Sequence, residues 1–284
     1  MTETPPNGQV LATIAATLNS LTPAEQAVAR QLLNSPAESV ELTSQELAER
    51  AGTSRATAVR VAQRLGFAGY TQLRVAIAKE HTPTAPTPDG ELHGARLALR
   101  SFARTAQAAH AMAALLDPGQ LDVVLDLLAH ARRLLVIGNG LSAGLALDTA
   151  ARFNSIGRTA EHVADPISQQ VCAGLLGTQD ALLVCSGSGA HHDSLLVAET
   201  AGRAGAHVIS VTGCRPSPIA LRSEICLVAA MPGAGFADEL SSTSRIPQTI
   251  LLESLVRTVA DLRGEPAGQA RSKTLGMIAE HLDD

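Results

Sequence analysis

Apolar positions change their period part-way along this chain. From about residue 10 to residue 80 they recur every three or four positions in short blocks, and two of the blocks open on a capping signal. Thr22 is followed three residues later by Glu25, with Pro23 at the first helical position, so the pattern predicts a helix over "TPAEQAVARQLLNS". Thr43 and Glu46 repeat the signal ahead of "SQELAERA", Gly52 supplies a turn, and Ser54 is a good N-cap for "RATAVRVAQRLG". The expected unit is helix, tight turn, helix. In the second of these helices Ala58, Val61, Ala62 and Leu65 make one apolar stripe, while Arg55, Thr57, Arg60, Gln63 and Arg64 fall elsewhere.

Beyond residue 120 the pattern is different. The apolar runs "RLLVIG", "ALLVCSG", "AHVISVTG" and "EICLVAA" have strand length and alternate with amphipathic stretches, which predicts parallel strands joined by crossover helices. Between the two patterns lies "KEHTPTAPTPDGEL", whose prolines remove backbone donors and favour extended conformations, followed by a helical pattern over "GARLALRSFARTAQAAHAMAALL". The expected fold class is a two-domain α+β chain. Residues 1–80 form an all-α helix-turn-helix domain, 81–119 a proline-rich linker and connecting helix, and 120–284 an α/β doubly wound parallel sheet.

Composition narrows the function. With no Trp, one Tyr and four Phe among 284 residues, the chain has too few rings for a stacking platform on single-stranded nucleic acid. It has neither a leader pattern at "MTETPPNGQV" nor a run of 18 apolar residues, so a cytoplasmic protein without a membrane segment is expected. Cys172, Cys185, Cys214 and Cys226 lack C-x-x-C spacing and sit in apolar settings, as structural residues do. A net charge of −5 argues against coating a polyanion by bulk charge. Locally the balance reverses, because Arg50, Arg55, Arg60, Arg64, Arg74 and Lys79 occur in a stretch with no acidic residue. A solvated surface helix would account for the polar face alone. The uninterrupted positive charge favours a helix that enters the major groove of double-stranded DNA, with Ser54, Arg55, Thr57, Arg60, Gln63 and Arg64 as the residues to meet bases and phosphates.

Two turns carry the chemistry of the second half. In "LLVIGNGLSAGLALDTAARF", Gly138, Gly140 and Ala143 satisfy the spacing of a dinucleotide-binding turn, and Glu161 stands near the distance of a ribose-binding acid, which keeps an NAD(P) enzyme open. In "LLVCSGSGAHHDSL", neither Ser186 nor Ser188 has glycines two residues away on both sides, so a nucleophile elbow is absent. His191, His192 and Asp193 are adjacent, but successive helical side chains diverge by about 100 degrees, and no matching His/Cys cluster completes a metal site. A strand ending in Ser-Gly-Ser-Gly before a helix does suit an anion, through backbone amides, the helix dipole and two hydroxyls. In an open parallel sheet this turn would converge with "GNGLS", which contains Gly140 and Ser142. An ordinary tight turn with capping serines is the plain alternative.

Both halves resemble known families. "LTPAEQAVARQLL" and "TSQELAERAGTSRATAVRVAQRLGFAGYTQLRVAIA" resemble the N-terminal domain of RpiR-type bacterial transcriptional regulators. "GNGLSAGLALDTAARFNSIG", "ADPISQQ", "SGSG" and "AGRAGAHVISVTG" resemble, in that order, a sugar isomerase (SIS) domain. The resemblance implies that Ser186, Ser188 and Gly189 hold the phosphate of a phosphosugar, with Ser142 contributing from the first turn. The chain departs from the family where His191 replaces the usual Thr or Ser. "SSTSRIPQTILLESLVRTVADL" is similar to the family's last helix, with Glu253 where Asp is commoner and Pro247 breaking the opening turn. The expected protein is a regulator of carbohydrate genes that binds a DNA operator as a homodimer or homotetramer and responds to a sugar phosphate. No catalytic residue, cofactor or metal is expected. A phosphosugar isomerase or etherase on the same SIS sheet is the alternative, with an NAD(P) enzyme behind it.

Overall fold

A computed structural model describes residues 10–81, 94–214, 217–230 and 244–282. The proline-rich linker and the "SST" of residues 241–243 lie outside the described residues. The chain divides into two compact units, one ending at Arg100 and the other beginning at Ser101.

The first unit is helical, with α1 Val10–Thr17, α2 Pro23–Asn34, α3 Pro36–Glu41, α4 Ser44–Arg50, α5 Arg55–Arg64 and α6 Tyr70–His81. Both expected capping boxes form: the Glu25 carboxylate accepts from the Thr22 amide and hydroxyl, and that of Glu46 does the same for Thr43. Gly52, at φ +63°, makes the tight turn between α4 and α5, a conformation that costs glycine least. Val28, Leu32, Leu47, Val61, Leu73 and Ile77 are buried and form its core. One expectation fails here. Arg74, counted in the basic stretch, is only 2% exposed and donates to the carbonyls of Val40 and Glu41. With the Tyr70 hydroxyl, which donates to Ser39 O at 2.6 Å, it satisfies the carboxyl end of α3. A one-dimensional charge count cannot see that these carbonyls face it.

Helix α7, Gly94–Met112, contains the division between the units. The second unit continues with α8 Pro118–His130, β1 Leu134–Gly138, α9 Ala143–Ser155, β2 Glu161–His162, α10 Pro166–Gly174, β3 Ala181–Cys185, α11 His192–Arg203, β4 His207–Thr212, β5 Ile225–Val228, α12 Ile246–Arg263 and α13 Glu265–Ala279. The strands form one parallel sheet in the order β2-β1-β3-β4-β5. Successive residues alternate between two cores, as the pleat requires. Leu134, Val136, Leu183, Ile209, Val211 and Leu227 pack with apolar residues of α8, α9 and α12, whereas Leu135, Ile137, Leu182, Val184 and Val208 pack with those of α10 and α11. The edge strand β2 is two residues long, too short to leave an apolar pattern. Pro247 opens α12 within its first turn instead of breaking it, since the amide that proline lacks has no intrahelical partner there.

The amino end of the sheet is held by buried polar groups. The inaccessible Asp180 carboxylate accepts from Arg132 Nε and Nη2 at 3.0 and 2.7 Å, from the Arg133 amide at 3.2 Å and from the Gly177 amide at 2.9 Å. The carboxyl end of α8 is finished by two arginines: Arg158 donates to Leu128 O and Ala131 O at 2.6 Å each, and Arg263 to Ala129 O at 3.3 Å. Burial pushes the Asp180 carboxyl up, but Arg132 and the two amides more than offset it and hold the group below the ordinary carboxylate range. Asp180→Ala should therefore lower unfolding stability by about 3 kcal/mol in urea denaturation at pH 7. Because the folded value is depressed, this contribution is complete above the unfolded Asp value of about 3.9 and is lost as pH falls through the folded one. The wild-type and variant stabilities should thus converge only in strong acid.

Candidate functional site

A sheet whose strand order runs 2-1-3-4-5 reverses its winding between β1 and β3, so the turns leaving those strands open a crevice at their carboxyl ends. The first turn is shaped by close approach. A Cβ on Gly138 would lie 2.5 Å from Ser142 O, and Gly140 adopts φ +57°. Asn139 donates from Nδ2 to Gln169 Oε1 and to Ser194 Oγ, each at 3.0 Å, tying the turn to α10 and α11. The role of Asn139 was not anticipated. Its signal is a lone carboxamide between two glycines at the end of an apolar strand.

The second turn is tied down from behind by β4 and the loop after it. The Ser186 amide donates to Val211 O at 3.0 Å, and Gly187 O accepts from Thr212 Oγ1 at 2.8 Å and from the Gly213 amide at 2.7 Å. Gly189 O accepts from the Ile219 amide at 2.9 Å, and the Cys214 thiol donates to Ser188 O at 3.6 Å. The two turns meet where the Gly187 amide donates to Ser142 Oγ at 3.3 Å. His191 closes the group, with its Cδ2 3.9 Å from where a Cβ on Gly140 would stand. Gly140, Ser142, Ser186, Ser188, Gly189 and His191 are thus brought together at one end of the sheet. Ser142 and Ser186 are buried, Ser188 is half-buried and His191 is exposed.

The electrostatics suit an anion. His191 is the N-cap of the twelve-residue α11 and makes no side-chain cap, so the amides of the helix's first turn and its positive end adjoin the serine turn. Its Nδ1 lies 3.9 Å from Asp193 Oδ2, in the same first turn. Among the described residues, no group of three or more His, Cys, Asp or Glu could hold a metal ion. Glu161 does not match a ribose-binding role. It pairs in register with Leu135, towards the amino end of the sheet, and both its oxygens lie 2.8 Å from the Arg133 guanidinium. That guanidinium holds the Glu161 carboxyl below its ordinary range. Glu253, the other acid singled out in sequence, lies 2.9 Å from Arg152 Nη1. Cys185 is buried among apolar side chains, which pushes its thiol up to about 12.

In the first unit α5 presents Arg55, Ala56, Arg60 and Gln63 to solvent. Thr57, expected on this polar face, is instead buried, hydrogen-bonded to Ser54 Oγ and accepting from Arg60 Nη2 at 3.0 Å. It therefore positions Ser54 and Arg60 from beneath. Arg64 is exposed but lies 3.1 Å from the buried Glu25 of α2, which fastens the end of α5 to that helix. The Thr22 amide and hydroxyl, with Arg64, hold the Glu25 carboxyl below its ordinary range against the effect of burial.

A helical unit with a helix-turn-helix, followed by a doubly wound sheet whose first and second glycine turns meet, is the build of a two-domain transcriptional regulator. The model of the helix-turn-helix domain of the rpiR family matches residues 8–84, and that of the SIS domain matches residues 127–256. The HTH-type transcriptional regulator HexR of Pseudomonas aeruginosa is 30% identical over 262 residues, covering 90% of each chain. The chain belongs to the RpiR family of helix-turn-helix regulators with a SIS domain. It also matches the bifunctional protein glk of Paraburkholderia xenovorans at 28% identity, spanning 42% of that protein's length. Among solved structures, the Vibrio vulnificus NanR protein complexed with ManNAc-6P has a TM-score of 0.80 at 22% identity, covering 97% of this chain and all of that one. The sugar isomerase domain of an RpiR transcription factor from Sphaerobacter thermophilus has a TM-score of 0.55 at 18% identity, covering 63% of this chain and 98% of that one.

The two positive-φ glycines should differ sharply in tolerance. A Cβ on Gly189, at φ +62°, would lie 2.6 Å from Ser217 Cβ and 2.9 Å from Ile219 Cγ2, whereas one on Gly140 would meet nothing closer than 3.9 Å. Gly189→Ala should cost about 2–4 kcal/mol, from strain plus overpacking, and Gly140→Ala about 1 kcal/mol from strain alone. Chemical denaturation of both variants measures this difference; equal losses would show that packing beneath Gly189 is not the constraint.

Proposed function

We propose that this protein binds an operator in double-stranded DNA through α5 and that a sugar phosphate, held by the two turns of the sheet domain, changes that binding. The observation that carries the reading is the convergence of two backbone-anchored turns at the carboxyl ends of β1 and β3. Ser142 Oγ accepts the Gly187 amide and keeps its own O–H to donate, so the contact joining the turns leaves a donor for a phosphate oxygen. Ser186, Ser188, the backbone at Gly140 and Gly189, and His191 complete the site. The solved structure of NanR, complexed with ManNAc-6P, supports the ligand class.

On this reading the protein is a regulator without turnover, acting in the cytoplasm on genes of carbohydrate metabolism. Isomerisation needs a positioned acid-base pair. Glu161 and Glu253, the acids nearest to such a role in sequence, are both held in ion pairs with arginines. Arg55, Arg60 and Gln63 offer donors to base edges and phosphates, and the Ala56 methyl suits the apolar edge of thymine. Ser54 and Thr57 set the entry of α5, and Arg64 its attachment. A helix-turn-helix reads successive major-groove faces only as a pair, which implies a homodimer or homotetramer. No helix among the described residues is long and apolar enough to cross a membrane.

Two measurements test this. Arg60→Ala should weaken specific operator binding by about 1–3 kcal/mol in a gel-shift or anisotropy titration, and unchanged affinity would exclude α5 as the reader. A Ser186→Ala, Ser188→Ala double variant should bind operator normally yet lose the sugar-phosphate response, which in the unaltered protein should be about 5- to 150-fold in operator affinity. A full response in the double variant would reduce the serine turn to a structural feature.

A further inference from the structure

The apolar stripe of α12 begins with a polar residue. Gln248, Leu251, Leu252, Leu255, Val256 and Val259 are all buried along one side of this helix, and from Leu251 on they pack in the core shared with β1, β3, β4 and β5. Gln248 is 1% exposed, and neither Nε2 nor Oε1 has a hydrogen-bond partner among the described residues. A buried carboxamide with every valence unmet is unfavourable, and such a group in a folded protein calls for an account of what meets it.

Its place in the fold supplies one. Arg263, at the other end of α12, donates to Ala129 O and to Gly157 O, which precede β1 and β2 and so mark the amino end of the sheet. From Arg263 back to Gln248 the helix rises about 22 Å at 1.5 Å per residue, more than the roughly 17 Å length of a five-residue strand. Gln248 is thereby carried to the carboxyl end of the sheet, on the face that holds Cys185, the residue before the serine turn. A second orphan borders the same end: Ser217 Oγ is buried without a hydrogen-bond partner among the described residues and stands 2.8 Å from the Cβ position of Gly189.

We infer that Gln248 recognises the sugar portion of the effector, as a specificity residue distinct from the phosphate-holding turns. This rests on the phosphosugar reading above. A fully ionised phosphate monoester presents only acceptors, so an amide oxygen is of little use to it. A sugar hydroxyl both donates and accepts, and a carboxamide offers the complement of each. A site built this way discriminates strongly against ligands that leave its buried amide unpaired.

The test uses the full chain and three proteins: wild type, Gln248→Met, which keeps size and removes the amide, and Ser186→Ala, Ser188→Ala. Each is titrated calorimetrically with inorganic phosphate, glucose 6-phosphate, N-acetylmannosamine 6-phosphate and arabinose 5-phosphate, and its free denaturation midpoint is measured. Gln248→Met should bind the tightest sugar phosphate of the panel at least tenfold more weakly, bind inorganic phosphate as wild type does, and unfold at a midpoint no lower than wild type. Unchanged sugar-phosphate affinity in Gln248→Met, with binding lost in the serine variant, overturns the inference and leaves the proposed function standing. A lowered midpoint also overturns it, since the amide would then serve the fold itself. Failure of wild type to bind any of the four, or undiminished binding by the serine variant, removes the phosphosugar reading and this inference together.

Discussion

A turn can offer its amides and hydroxyls to a ligand only if its carbonyls are satisfied elsewhere and its backbone cannot collapse onto itself. In this protein that requirement falls on Gly187. Its carbonyl takes two donors from the end of β4, and its amide reaches across to Ser142. The crevice is therefore assembled from three strand ends that no local sequence window contains. Parallel pairing makes this possible, because β1, β3 and β4 all deliver their loops to the same edge. The opposite edge, where Asp180 and the arginines neutralise strand starts and helix ends, fixes the register from which those loops depart.

The helical unit follows the same logic with different groups. Its cores are small, and polar contacts between helices set their mutual placement: Tyr70 and Arg74 finish α3, while Glu25 unites the start of α2 with the end of α5. A buried carboxylate that joins a capping box to a guanidinium holds α5 in one rotation about its axis. The exposed side chains of that helix then owe their direction in part to a carboxylate buried behind it.

Much of this was legible in the chain and some was not, for physical reasons. Capping boxes at Thr22 and Thr43 and the four longer strands depend on neighbours within a few residues, so they leave local signatures. The convergence of the two glycine-containing turns followed from the parallel pattern. Thr57 and Arg74 were misplaced because burial of a polar side chain is decided by a partner helix, and a helical wheel records only polarity. The two-residue β2 has no periodicity to detect. Pro247 reads as a break in the opening turn from sequence alone because its position relative to that turn is set by the chain before it. The unmet amide of Gln248 could not be anticipated at all, since a missing partner is a property of three-dimensional packing.

The disposition of the basic residues bears on how the helical unit would respond to ionic strength. Of the six cations between Arg50 and Lys79, Arg74 is buried, Arg50 is paired with Glu38 and Arg64 with Glu25, which leaves Arg55, Arg60 and Lys79 outside the ion pairs among the described residues. Each phosphate neutralised on duplex DNA releases about 0.9 of a condensed counterion. On the proposed reading the unit would show a shallow dependence on salt, near three ions per copy, half the number that the six cations of this stretch suggest. Under that proposal, discrimination between sequences would fall to geometry at the base edges, and an acidic protein would find its site without clinging to every other stretch of DNA.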